Sequence, residues 1–159
     1  MKKTLMAMAI SAAFIAIPAS AAPYVGAGLG WSKTDTNNTA SKLFAGYQFT
    51  ENFGAQVAYN NFGGYRGATA TAWSVAAVGT IPLNANWDVS AKLGTTENRT
   101  TLAGSGRKSE LLVGLGVGYN FDKNIALRLE YEDFGKLPTD INGNRWKATN
   151  WGLNVKYTF

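Results

Sequence analysis

Arg128, Glu130 and Glu132 stand at every second position near the end of the segment Ile125 to Glu132, and Asp88, Ser90 and Lys92 share one parity in Trp87 to Thr95. Carboxylates on one face of a strand can divide acid and base roles between them, or can bind nearby cations. The rest of the composition decides between these uses. The chain has no His and no Cys, which excludes a Ser/His/acid triad, a thiol nucleophile and a His-ligated metal site. With Arg128 two positions from Glu130, ion pairing is the use these acids suit. A third motif, Gly114-Leu115-Gly116-Val117-Gly118, has the glycines of a nucleotide loop but lies in mid-strand at period two with no helix after it. No catalytic residue, cofactor or metal is expected.

The elements that carry these residues are strands. In Ile125 to Glu132 the series Ile125, Leu127, Leu129, Tyr131 alternates with Ala126, Arg128, Glu130, Glu132, so one face is apolar and the other charged. Seven more segments alternate: Tyr24 to Ser32, Ser41 to Phe49, Phe53 to Asn60, Thr71 to Leu83, Trp87 to Thr95, Glu110 to Phe121, and a last one ending at Phe159. Thr71 to Leu83 is the least regular, because Trp73, Val75 and Ile81 share a parity that Val78 breaks. Pro82 cannot donate to a ladder, so a bulge or an end is expected there. Tight turns fall at Thr50-Glu51-Asn52, Asn84-Ala85-Asn86 and Asp122-Lys123-Asn124, and long connections at residues 33–40, 61–70, 96–109 and 133–144. Short turns on one side and long loops on the other describe an all-β, eight-stranded antiparallel up-and-down transmembrane β-barrel.

Lys2 and Lys3, the apolar run Leu5 to Ile17 and the small residues Ala19 to Ala22 form a cleavable signal peptide over residues 1–22. Residues 23–159 have the length of one domain. Lys2 and Lys3 leave with the signal, so the formal charge of +5 falls to about +3, too little and too dispersed for nucleic acid. Eighteen Gly, five Trp, seven Tyr and eight Phe, against four Pro, fit a β structure.

Charge and aromatic placement identify the solvent. Arg128, Glu130 and Glu132 would cost several kcal/mol each in a soluble core unless paired, whereas a barrel interior accepts them and turns the apolar series to acyl chains. In a half-exposed soluble sheet they would simply face water, but the aromatics are sorted. Phe49, Phe53, Trp87, Tyr119, Phe121, Tyr157 and Phe159 gather at the turn side, and Trp31, Tyr59, Trp73, Tyr131 and Trp151 toward the loops. Two such belts mark two membrane interfaces.

Gly30-Trp31-Ser32, Gly46-Tyr47-Gln48, Tyr59 followed by Phe62-Gly63, Lys92-Leu93-Gly94 and Arg128-Leu129-Glu130-Tyr131 together resemble, in order and spacing, the OmpA-type eight-stranded outer-membrane barrels. The resemblance implies a bacterial outer-membrane location and a polar lumen network of Gln56, Lys92, Arg128 and Glu130. Gln56 stands where the family has an acid, so Arg128 is left to Glu130 or another carboxylate, with Lys92 competing. The resemblance also makes Trp151, Leu153, Val155, Tyr157 and Phe159 an assembly signal read by the outer-membrane assembly machinery. Relatives often continue into a peptidoglycan-binding domain; here the sequence stops at strand eight, and a cell-wall tether is not expected. The reading is a monomeric, non-enzymatic barrel among lipid and lipopolysaccharide, serving envelope integrity or surface presentation. The alternatives are a narrow channel for ions or small solutes, and an adhesin or ligand-binding barrel acting through its extracellular loops, above all residues 61–70 and 96–109.

Overall fold

A computed structural model describes residues 21–33, 37–65, 68–100, 106–136 and 147–159. Of the expected signal peptide, residues 1–20 lie outside the described residues. The alternating segments form β1 (Ala22–Lys33), β2 (Asn37–Gln48), β3 (Phe53–Tyr65), β4 (Ala68–Pro82), β5 (Trp87–Thr100), β6 (Gly106–Asn120), β7 (Ile125–Lys136) and β8 (Lys147–Thr158). Each pairs antiparallel with the next, and β8 returns to β1, from Thr158 opposite Tyr24 to Thr149 opposite Lys33. Closure gives every strand a hydrogen-bonded neighbour on both sides, the one sheet solution available where water cannot satisfy backbone groups.

The period-two pattern assigns the two faces. Leu29, Trp31, Leu43, Leu93, Leu115, Leu129 and Leu153 point outward and are exposed, while Gln56, Lys92, Arg128, Glu130 and Glu132 are buried in the bore. In β4, Trp73, Val75 and Ile81 are exposed and Val78 is buried inside, so a single frame holds throughout. The strand ends at Pro82, opposite Asp88, without a bulge there.

The strands run further than the sequence pattern suggests. Residues 37–40, 61–65, 68–70, 96–100, 106–109 and 133–136, expected in long connections, are strand. Thr96 faces Glu110, Glu97 faces Ser109 and Asn98 faces Lys108 in an unbroken β5–β6 ladder. Polar residues on both faces look like loop in a sequence, yet a strand that projects past the apolar band can be polar on both faces. The remaining parts of those connections lie outside the described residues.

The three tight turns are built alike. The Thr50 hydroxyl accepts from the backbone N–H of Phe53 at 3.1 Å, and the Asn84 and Asp122 side chains accept from Trp87 and Ile125 at 2.9 and 2.7 Å. Such side-chain caps stand in for a backbone turn bond. The third turn residue is Asn each time, and its amide donates across to the end of the next strand. Asn52 reaches the Thr80 carbonyl at 3.0 Å, Asn86 reaches Asn120 at 3.0 Å, and Asn124 reaches Thr158 at 2.7 Å. Each hairpin is thereby latched to its neighbour, and the Phe159 N–H donates to the Pro23 carbonyl at 3.0 Å where β8 meets β1.

Candidate functional site

The bore is filled in layers, and glycine makes the room. A Cβ at Gly116 would lie 2.8 Å from Ser90 Oγ and 3.2 Å from Glu130 Cγ, and one at Gly118 would lie 2.7 Å from Asp88 Oδ1. The glycine run of β6 is therefore the low wall against which the charged side chains of β5 and β7 lie.

At mid-height four charges from three strands form one lattice. Lys42 Nζ on β2 lies 2.9 Å from Glu130 Oε2 and 2.6 Å from Glu132 Oε1, and Lys92 Nζ on β5 lies 2.7 Å from Glu130 Oε1 and 3.2 Å from Glu132 Oε1. Two cations against two anions leave no net charge, and all four side chains are about 3% exposed. Asn154 on β8 donates to Glu130 Oε2 at 3.0 Å. The Phe44 ring lies under both ammonium groups, 5.4 Å from Lys42 Nζ and 5.9 Å from that of Lys92. Buried charges of this kind persist only with full partnering.

Toward the turns Arg128 Nη2 lies 3.0 Å from Asp88 Oδ1. Toward the loops the bore holds an apolar cluster: Phe62 and Phe134 meet edge to face, 5.0 Å between centroids, among Ala40, Ala72, Ala76, Leu112 and Ala148. The two rings arrive through the same device. In Asn61-Phe62-Gly63 and Asp133-Phe134-Gly135 the first side chain accepts from the glycine N–H, at 2.9 and 3.0 Å, and the glycine has φ of 78° and 69°. That left-handed conformation suits Gly, and both spots are where the ladder slips register. The Phe carbonyls at the slips accept from Ser32 Oγ at 3.2 Å and Asn98 Nδ2 at 3.0 Å.

Of the four lumen residues expected, Lys92 and Glu130 meet. Arg128 does not join them; its carboxylate is Asp88, which the sequence reading placed on the inner face without assigning it a role. Gln56 is buried beside the same space and makes none of the ion pairs. Lys42 and Glu132 complete the lattice and were not in the expected network. The signal that would have found the apolar plug is the repeated Tyr-x-Asx-Phe-Gly at 59–63 and 131–135. At the chain's end, Trp151, Leu153, Val155, Tyr157 and Phe159 form the exposed outer series of β8. Trp151 stands opposite Trp31 on β1 and packs on Tyr131 at 4.9 Å, and Tyr157 packs on Phe159 at 5.1 Å, each pair in one of the two aromatic belts.

A closed antiparallel barrel with an apolar, aromatic-belted outside and a charged inside is a membrane-spanning barrel of the bacterial outer-membrane kind. The family model for the outer membrane protein beta-barrel domain matches residues 4–159, and the chain belongs to that family. Outer membrane protein A of Serratia marcescens is 28% identical over 203 residues, covering 100% of this chain and 56% of the relative. The chain thus spans about half the length of the curated relative it matches. Among solved structures, Ail, the attachment invasion locus protein of Yersinia pestis, superposes with a TM-score of 0.57 at 18% identity, covering 87% of this chain and 97% of that one. The outer membrane enzyme PagL superposes at 0.59 and 10% identity, covering 84% and 98%. At such identities the likeness is one of fold, and a fold shared by an attachment protein and an enzyme does not choose an activity. The protein's place is the bacterial outer membrane.

Proposed function

We propose that this protein is a non-enzymatic, monomeric barrel that contributes to envelope integrity or surface presentation, with a bore closed to solutes. The observation that carries this reading is the filled interior: the Lys42–Glu130–Lys92–Glu132 lattice below and the Phe62–Phe134 plug above both stand across the bore. Eight strands enclose a space that side chains can fill, and here they do. The lumen network is in this reading a structural one. The lack of His and Cys anywhere in the chain supports the absence of hydrolytic chemistry. Residues 1–22 act as the export signal, and the outer series of β8 ending at Phe159 as the assembly signal that delivers the chain to the assembly machinery, with lipid and lipopolysaccharide as its final surroundings. The test is a strain lacking this protein. Raised sensitivity to detergent and bulky antibiotics, restored by the wild-type gene, is expected; unchanged sensitivity would overturn the envelope role.

A further inference from the structure

Below the plug, the bore of the described residues holds four basic side chains, Lys42, Lys92, Arg128 and Lys156, and three acidic ones, Asp88, Glu130 and Glu132. Glu130 and Glu132 are shared by Lys42 and Lys92, and Asp88 is taken by Arg128. Lys156 on β8 remains. Among the described residues it has no ion-pair partner, and its Nζ lies 5.3 Å from the centroid of the Tyr24 ring. Ala126 faces Lys156 and Arg128 faces Asn154 across the β7–β8 ladder, so the two cations are diagonal neighbours on one inner face, and of the two Arg128 is the one that Asp88 pairs. Among the described residues the Nε–H of Arg128, a residue 5% exposed, has no acceptor.

These groups border a small chamber of about 10 Å³ whose walls include Tyr24, Gln48, Gln56, Thr80, Arg128 and Lys156. Gln48, Thr80 and Lys156 are half-buried, which makes the turn side its mouth. Its free interior takes about one water-sized particle. Glu130 also borders it, but its oxygens are held by Lys42 at 2.9 Å, Lys92 at 2.7 Å and Asn154 at 3.0 Å.

We propose that this chamber binds one small monovalent inorganic anion, chloride or another halide, between the Lys156 ammonium and the Arg128 Nε–H, with the Gln56 amide beside it. A neutral water would leave the excess positive charge uncompensated, a metal cation would add to it, and sulfate or phosphate exceeds the space. The anion enters from the turn side and stops beneath the ionic lattice, so the site is a counter-ion pocket, distinct from a conduction path.

The experiment uses the full barrel refolded in detergent. Crystals soaked in bromide are measured at the bromine edge, and the unfolding midpoint is compared in chloride and in methanesulfonate at equal ionic strength, for wild type, Lys156→Gln and Lys156→Arg. The expected result is an anomalous peak between Lys156 and Arg128, with a midpoint raised by chloride in wild type and Lys156→Arg. In Lys156→Gln both are expected to disappear. An empty chamber in the wild-type crystals overturns the proposal. So does a chloride effect that survives in Lys156→Gln, and so does a peak without any chloride effect in wild type, an adventitious ion only. Should Lys156→Gln fail to fold, the wild-type and Lys156→Arg measurements decide alone.

Discussion

Toward the loops the bore is occupied by Phe62, Phe134, Leu112 and four alanines, whereas at mid-height it is occupied by two lysines and two glutamates. The two fillings respond to damage differently. An apolar layer is held by contact and by area removed from water, so its losses follow the volume deleted. An ionic layer is held by completeness, because each charge is tolerable only while its partner is present. The lattice draws on three strands beside a glycine wall that yields space; the plug sits at two register slips, each beside a Phe that follows the inner series of its strand.

The largest effect should come from breaking the lattice. Glu130→Leu leaves Lys42 and Lys92 to share Glu132 and should cost about 3–5 kcal/mol, measured by urea unfolding in phospholipid vesicles with tryptophan emission. Pairing it with Lys92→Met should cost less than the two single changes added together, since the orphaned charge leaves as well. In the plug, Leu112→Ala should cost about 2–4 kcal/mol by loss of buried volume, with no rescue from a change in the lattice. A cost that an ionic substitution relieved would mean that the two layers are one unit. The smallest effect lies at the turn rim. Asn124→Ala removes the latch from the β6–β7 turn to β8 and should cost about 1 kcal/mol in the same assay, as should Asn52→Ala.

How much of this was legible depended on whether a feature follows from parity or from height. Parity put Arg128, Glu130, Glu132, Asp88 and Lys92 inside and the Leu, Trp and Tyr series outside, and the five polar residues are indeed buried. Height is set by stagger between strands, which alternation does not encode. Hence Arg128 was left to Glu130 or an unnamed carboxylate, whereas it meets Asp88, and Lys42, 88 positions before Glu130, was missed. β4 was ambiguous because alanine occupies both of its faces. The strand ends past the apolar band were read as loop because Thr, Asn and charged residues carry no alternation there. The turns were legible from Asn and Asp, but the latch was not, since its acceptor lies 28 to 34 residues away.

The central claim is that lattice and plug together seal the bore. Single-channel recording of the purified, refolded protein in a planar lipid bilayer tests it most directly. The account predicts a silent trace across the physiological voltage range; reproducible discrete openings from the wild-type barrel would contradict it and favour the narrow-channel reading.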